Sequence, residues 1–596
     1  MTYFDQAVAD GHLRITGPTG SDRVVYVAVN HSDRLTDPEE RVRAEFWAEL
    51  VYRYGYEPSR IGVEIIVPDR RPVDAADLVV FRDDSRTRPY AVIECKRDGI
   101  SDAEFGQAIE QAAGNGTWAK FRASYVGVVA GSTRRFLDFT GRYGALEREA
   151  NIVADLPVAY GRPEAFKFHK GGPLDIAPIS REGLIQAIRK SHQTLWGGGK
   201  LSPPAAFGEL SKVLFVKISD ERAKRKAGEP YQFQIKTHES SRRLGERIRA
   251  LYETQKEREP DVFTDTIKID DATLRNVVSH LESVNLSETD LDIKGVAFEQ
   301  FVDNFFKGDF GQYFTPRDLI QFAIDILQPT SDDIVLDPAC GSGGFLLYAL
   351  DAVRKEADAY HQADTPQHFR HWHDFGTRNL YGVEINDELT RVAKMNMIIH
   401  DDGHSNIVGS DALLPLSQLQ QKNPGLSPGR FDLILTNPPF GAQVTLAQRP
   451  HLSTFELGRM PSKSGRDTPR KSQRTEVLFI ERVWQFLKPG TGRAGIILPD
   501  GILTNASLQY VRDFLLERFQ VLAVVSLPAT AFSHFGAGVK SSFVFVRRRD
   551  EAERAEEDED VFMAIADFVG YDATGRETDN DLPAIADLYH GHAVAG

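Results

Sequence analysis

Three groups of residues in this 596-residue chain have types and spacings that could do chemistry. The run Asp337-Pro-Ala-Cys-Gly-Ser-Gly-Gly-Phe345 follows the apolar stretch Ile334-Val-Leu336 and precedes the helix-forming residues Leu346 to Ala352. Strand, glycine turn, helix is a layout in which the backbone can close on a nucleotide-type ligand at the edge of a parallel sheet, because glycine leaves no side chain in the way. The second group is Asn437-Pro-Pro-Phe440, which ends another strand-like run, Phe431-Asp-Leu-Ile-Leu-Thr436. The Asn437 side-chain oxygen and the Pro438 carbonyl are two acceptors on a turn that Pro438 and Pro439 stiffen, and Phe440 adds a flat apolar face. The third group is Asp77 with Glu94-Cys-Lys96. A period of two along a strand places Glu94 and Lys96 on one face. Asp77 and Glu94, if within reach of each other, can hold Mg2+ through oxygen ligands, and a lysine beside them can orient or activate a water. The alternative is a surface strand with alternating charges.

These groups need elements to position them. Residues 1–150 predict a compact α/β unit: a β-rich lead-in over 1–35, a helix opened by Pro38 and running to Tyr54, three strands ending at Cys95, a helix from Asp102 to about Ala113, and a strand from Tyr125. The first helix is apolar at Val42, Phe46, Trp47, Leu50 and Val51. Residues 151–179 are interrupted by proline and glycine and read as a linker, and 180–307 read as a helical bundle. Residues 308–550 alternate strands and helices around the glycine turn and the Asn437 turn, and 551–596 read as an acidic, peripheral tail. Within the third segment, Leu380-Tyr-Gly-Val-Glu384 is a strand that ends in an acid. A carboxylate there can accept both hydroxyls of a ribose.

Composition bounds the function. A net charge of −15 argues against a protein that coats nucleic acid, but it leaves room for a local basic groove. Residues 441–475 are such a place: seven basic residues stand against two acidic ones, in what reads as a mobile loop able to grip phosphates. The two cysteines, Cys95 and Cys340, exclude a disulfide framework and a multi-thiolate zinc site and point to a reducing compartment. His361, His368, His371 and His373 match no standard zinc spacing and read as a polar surface insertion. There is no membrane-length apolar run and no signal peptide, so a cytoplasmic protein without membrane contact is expected. No G-x-x-x-x-G-K-[ST] loop is present to drive DNA translocation.

The order of glycine turn, strand-end acid and Asn-Pro-Pro-Phe turn resembles the S-adenosylmethionine-dependent methyltransferases that act on adenine N6. Over roughly 180–550 it resembles the modification subunits of Type I restriction–modification systems. The resemblance implies a Rossmann-like class I methyltransferase with a seven-stranded mixed sheet. It implies cofactor contacts at Gln312, Tyr313, Phe314, Thr315 and Pro316, at Asp337, Pro338, Ala339, Gly341, Ser342, Gly344 and Phe345, at Glu384, and at Asp411 on the cofactor's adenine. Asn437, Pro438, Pro439 and Phe440 would hold the flipped target base. Residues 35–150 resemble the PD-(D/E)xK nuclease-like domain at the N-terminus of Type I restriction subunits. That likeness implies Glu45, Asp77, Glu94, Lys96 and Gln111 as its site, with Asn115 where the family has a tyrosine. The fold class expected is therefore α/β, a PD-(D/E)xK-like domain and a methyltransferase domain joined by a helical bundle. Double-stranded DNA, a separate specificity subunit and other restriction or defence subunits are the implied partners. Competing readings are a protein-glutamine methyltransferase, an endonuclease whose methyltransferase fold senses cofactor, and a non-catalytic DNA-binding subunit.

Overall fold

The computed structural model describes the chain apart from residues 1, 19–21, 119–120, 132, 141–148, 198–200, 258–264, 290–314, 363–364, 401–405, 448–449, 461–467, 534–537, 556–558 and 596. It divides into two compact units. One comprises residues 1–177, 219–251 and 268–285, the other 178–218, 252–267 and 286–596. The helical stretch 180–307 is therefore not a unit of its own, because its parts are shared between the two.

The first unit is built on a mixed six-stranded sheet. Helix α1 (Pro38–Tyr52) precedes it, started by Pro38 at N1 and by Asp37, whose side chain accepts the Glu39 amide at 3.0 Å. Strands β1 (Ile61–Ile66), β2 (Ala75–Phe81) and β3 (Pro89–Cys95) form an antiparallel meander. Helix α2 (Asp102–Gly116), opened by a Ser101–Glu104 capping box, then crosses to β4 (Tyr125–Ala130), parallel to β3. Strands β5 (Thr133–Asp138) and β6 (Ile152–Val153) complete the order β1-β2-β3-β4-β5-β6. Two corrections follow. Strand β3 is buried along its length after Pro89, so the alternating-charge surface strand is excluded. Residues 151–179 are not a free linker, because β6 lies in the sheet and Val153 and Leu156 lie in the core with Phe46 and Trp47.

The second unit carries an eight-stranded sheet. Helix α3 (Arg317–Leu327) leads into β7 (Val335–Asp337), α4 (Gly344–Tyr360), α5 (Pro366–Asn379), β8 (Leu380–Glu384), α6 (Asp387–Ile399) and β9 (Ile407–Gly409). Strand β10 (Leu433–Thr436) follows, then α7 (Thr475–Phe486), β11 (Arg493–Pro499), β12 (Phe519–Ser526), β13 (Ser541–Arg548), β14 (Phe562–Ile565) and α8 (Leu582–Ala595). The order is β9-β8-β7-β10-β11-β13-β12-β14, parallel except that β13 runs against both neighbours. Both faces are covered. Val335, Leu433, Leu435 and Ile497 enter one core, and Leu336, Ile434, Ala494 and Ile496 enter the other. That double burial is why these strands read as continuous apolar runs.

Three expectations change here. Strand β14 pairs in parallel with β12, and Leu582, Ile585 and Ala586 of α8 are buried. The tail is thus part of the fold, and the sheet has eight strands rather than seven. His368, His371 and His373 lie on an amphipathic helix, α5, with Trp372 and Phe375 in the core, while His361 ends α4. The described part of 441–475 is structured: its Val444, Leu452, Phe455 and Leu457 are core residues, and Gln443–Thr445 pairs with Ser472–Arg474.

Candidate functional site

In the second unit the chemistry gathers at the carboxyl ends of β7, β8, β9 and β10. Parallel strands bring their ends to one edge, where the turns can meet. Asp337 ends β7 and is buried. Its Oδ1 accepts the Ala339 amide at 3.0 Å. Burial pushes its carboxyl up to about 7; the Ala339 amide opposes the shift and the charge of Glu384 adds to it. Gly341 and Gly343 then take φ of +52° and +86°, the left-handed region, and α4 starts at Gly344. A Cβ on Gly341 would meet nothing within 4 Å, so the turn opens onto space. A Cβ on Gly344 would come within 2.7 Å of Ile320 Cδ1, so that glycine serves the packing of α3 on α4. Phe345 is buried in the core, and the Ser342 carbonyl accepts Asn396 Nδ2 at 3.1 Å. Cys340 is buried, its thiol pushed up by burial, and it is no candidate nucleophile.

Glu384, the last residue of β8, ties the turns together. Its Oε2 accepts the Gly341 amide at 3.0 Å and its Oε1 accepts the Asn386 amide at 2.8 Å. Asp411 follows β9, half-buried, with Oδ1 on the Leu413 amide at 3.0 Å. The Ser410 amide donates to the Glu384 carbonyl at 2.8 Å. The glycine turn, Glu384 and Asp411 thus line one edge, a fit to an adenosyl ligand with a ribose and an exocyclic amine.

Asn437 follows β10. Its Nδ2 donates to Thr315 Oγ1 at 3.0 Å, a contact between residues 122 apart in sequence. Its Oδ1 is buried and has no hydrogen-bond partner among the described residues. Pro438 is buried and Pro439 exposed. The turn is braced by two residues at the start of α7 that the sequence reading missed. Thr475 Oγ1 donates to the Pro439 carbonyl at 2.8 Å, and Glu476, 1 % exposed, accepts the Gly441 amide at 3.1 Å. No motif marks them; an acid at a helix start is the available signal. Phe440 is half-buried, edge-on to Phe532 with centroids 6.5 Å apart. Pro316 caps α3. Gln312, Tyr313 and Phe314 lie outside the described residues.

In the first unit Asp77, Glu94 and Lys96 do come together. Glu94 is 3 % exposed. Lys96 Nζ donates to its Oε1 at 2.9 Å, and its Oε2 is buried without a partner among the described residues. Burial pushes the Glu94 carboxyl up to about 7, with the charge of Asp77 adding to the shift. Burial also raises Asp77, against Arg43 and the Cys95 amide. Two assignments are corrected or weakened. Glu45 faces away from this cluster: it is exposed and paired to Arg41 at 3.2 Å. The α1 carboxylate nearer the site is Glu39, 3.9 Å from Lys96. Gln111 is half-buried on α2, and Asn115 is fully buried with neither amide atom hydrogen-bonded among the described residues.

The Mg2+ expected at Asp77 and Glu94 does not fit beside the fixed positive charge of the Arg43 guanidinium. Asp77 Oδ1 accepts Arg43 Nη2 at 3.1 Å, and Oδ2 accepts the Cys95 amide at 2.6 Å. His31, Asp33 and Glu64 are the one group of three, among the described residues, whose ligand atoms lie within 4.8 Å of one another, and Arg43 reaches two of them.

Comparison with known proteins bears on both units. Residues 289–592 match the family model described as N-6 DNA Methylase, and 38–140 match the Type I restriction enzyme R protein N terminus. The Type I restriction enzyme EcoEI methylase subunit of Escherichia coli is 27% identical over 277 residues, 46% of this chain and 50% of that protein. The Type II restriction enzyme and methyltransferase RM.BcgI of Heyndrickxia coagulans is 30% identical over 207 residues, 31% of this chain and 30% of that one. A crystal structure of a modification subunit of a putative type I restriction enzyme from Vibrio vulnificus YJ016 superposes with a TM-score of 0.49 at 17% identity, over 70% of this chain and 91% of that one. The chain spans half or less of the length of the two curated relatives named.

Proposed function

The chain belongs to the N-6 DNA methylase family, and from that premise we propose that it transfers a methyl group from S-adenosylmethionine to N6 of an adenine in double-stranded DNA, as part of a restriction–modification or phage-defence system. The observation that carries the proposal is the Asn437 oxygen: buried, unpartnered among the described residues, and fixed by an amide nitrogen already committed to Thr315. A buried acceptor without a donor costs about 1–3 kcal/mol. A substrate amine entering the site removes that cost.

S-adenosylmethionine supplies an electrophilic methyl on a sulfonium. The chain's own residues do the rest. The Gly341 turn and Glu384 hold the nucleoside part, with Asp411 on its adenine. Adenine N6 is a weak nucleophile because its lone pair is delocalised into the ring. Asn437 Oδ1 and the Pro438 carbonyl accept its two hydrogens and favour a more tetrahedral nitrogen, a preorganised pair of dipoles. A base inside a duplex must be flipped out to reach them, at a cost of about a few kcal/mol, and Phe440 provides a face for it to stack on. The basic residues of 441–475 suit the flanking phosphates.

For the first unit, the fold and the Asp77–Glu94–Lys96 grouping suit a nuclease-type domain, but one whose Asp77 is paired with Arg43 in place of a divalent ion. A specificity subunit is the proposed source of target recognition, and the cytoplasm is the proposed location; among the described residues no helix is long and apolar enough to cross a membrane. Methylation-aware sequencing of DNA from cells with and without the protein tests the proposal. N6-methyladenine at defined sites should appear with the protein and vanish with Asn437→Ala at equal expression. Unchanged methylation in that variant sinks the assignment. The isolated chain should bind S-adenosylmethionine yet methylate poorly without its partner, which robust site-specific methylation by the pure chain would contradict.

A further inference from the structure

The acidic cluster of the first unit already holds a cation. The Arg43 guanidinium, 7 % exposed, lies among four carboxylates. Its Nη1 is 2.7 Å from Glu40, 3.0 Å from Glu64 and 3.8 Å from Asp33, and its Nη2 is 3.1 Å from Asp77. Helix α1 fixes it there, because Arg43 shares the buried face of Phe46, Trp47 and Leu50. Its nearest partner, Glu40, is one turn away, 2 % exposed, and held by the Tyr26 hydroxyl at 2.7 Å. Glu64 is also unusual. It takes φ of +50°, a conformation a non-glycine residue adopts at a cost, between the ladder pairs Val63↔Leu78 and Ile65↔Ala76 that flank Asp77 on the neighbouring strand. The strain is spent where Glu64 meets the guanidinium.

The other two positions are engaged as well. The second oxygen of Asp77 takes the Cys95 amide at 2.6 Å, and Lys96 takes one oxygen of Glu94 at 2.9 Å. A divalent ion on Asp77 would have to share an oxygen with a guanidinium that stays charged at any working pH, at a separation where like charges repel strongly in a buried site. The site was expected to wait for Mg2+. Its geometry instead resembles one whose cation is covalently part of the chain.

We infer that Arg43 fills the cation position of the N-terminal cluster, which makes Asp77 an ion-pair partner and not a metal ligand. The fold of this domain then needs no divalent ion, and a metal-dependent cut at Asp77 is closed to the chain while Arg43 stays in place. The inference is independent of the methyl-transfer reading.

Mn2+ titration of the full-length protein, with free Mn2+ read by electron paramagnetic resonance, tests it. Asp77→Asn should bind Mn2+ as the wild type does. Arg43→Gln should gain a site at least about tenfold tighter than any in the wild type, because a buried unit charge has been removed from among four carboxylates, and the double variant Arg43→Gln/Asp77→Asn should lose it. A wild-type Mn2+ site weakened by Asp77→Asn overturns the inference. So does a folded Arg43→Gln protein with no gained site. Should Arg43→Gln fail to fold, as removal of one member of a buried ion cluster can cause, the wild-type and Asp77→Asn titrations decide the matter alone.

Discussion

Each unit sets polar groups at the ends of buried strands, and the two finish the job differently. At the end of β10 the Asn437 amide is half-satisfied: nitrogen on Thr315, oxygen on nothing among the described residues. Around β2 and β3 the charges are matched from within, Asp77 by Arg43 and one oxygen of Glu94 by Lys96. The same contrast holds for the acids. Asp337 has no cation among the groups that shift it; burial and Glu384 raise it, while the Ala339 amide and the Thr436 hydroxyl lower it. Asp77 has Arg43 against it. A constellation that carries its own counter-charge is stable and closed. One that leaves an acceptor bare keeps a cost that a ligand can relieve. The exception in the first unit, the bare Glu94 Oε2, sits on a carboxyl pushed up to about 7, where a proton is available to it near neutral pH.

The sharpest way to break the comparison is at the two sites together. Asn437→Ala should lower methyl transfer by roughly a hundredfold to a thousandfold, the size found when one preorganised dipole is removed from a transition state. Its S-adenosylmethionine affinity, by calorimetry, should stay close to wild type. Asp77→Asn should leave methyl transfer unchanged. Equal losses from both substitutions would mean that the closed cluster takes part in the same reaction.

How much of this was legible beforehand depends on what carried the signal. The strand ends were legible, because an apolar run that stops at a polar residue or a turn is a local pattern: Asp337, Glu384 and Asn437 all stand where that pattern puts them. Glu45 was misplaced although the chain contained the answer. At about 100° per residue, Val42, Phe46, Trp47, Leu50 and Val51 define a face centred close to Arg43, and Glu45 lies roughly opposite its centre. The family likeness outweighed the period. Arg43 itself could be placed on the buried face but not paired, since Asp77 and Glu64 reach it only through the sheet. The tail and the 441–475 insertion were misread for another reason. Their apolar residues are interrupted by charged ones, and β14, Phe562-Met-Ala-Ile565, is only a four-residue apolar run next to an acidic stretch, with Met563 and Ile565 exposed. Thr475 and Glu476 act through backbone atoms of the Asn437 turn, which no residue-type pattern announces.

A second, smaller effect is expected at Glu384. Glu384→Gln keeps the shape and removes the charge. Because hydrogen bonds to charged groups contribute about 1.5–3 kcal/mol, S-adenosylmethionine affinity should fall by roughly tenfold to a hundredfold, while turnover at saturating cofactor changes little. A fall in turnover with intact affinity would move Glu384 from cofactor holding to the transfer step, and the contrast between the two units would then rest on Asn437 alone.

The buried acid without a cation predicts a pH effect. The folded carboxyl of Asp337, at about 7, lies above its ordinary 3.8. The fold therefore favours the protonated form, and that contribution is whole below pH about 4 and lost as pH rises through about 7. Between pH 5 and 8 the wild-type Tm should fall more than that of Asp337→Asn, with a stability difference on the order of 1–3 kcal/mol by the upper end. Parallel Tm curves would show that the charge is compensated after all, as in the first unit.

The smallest effect tests how the bare oxygen is aimed. Thr315 Oγ1 takes the Asn437 nitrogen, and without it the amide can rotate and present nitrogen to the substrate amine, where donor would meet donor. Thr315→Val is nearly isosteric and removes only the hydroxyl. One neutral hydrogen bond contributes about 0.5–1.5 kcal/mol, so kcat should drop roughly threefold to tenfold with the S-adenosylmethionine Kd unchanged. Thr315→Ser, which restores the hydroxyl, should recover most of the rate. If valine instead weakens cofactor binding and spares kcat, the hydroxyl serves the cofactor rather than the amide. The orientation of Asn437 would then be set by the braced turn from Pro439 to Glu476.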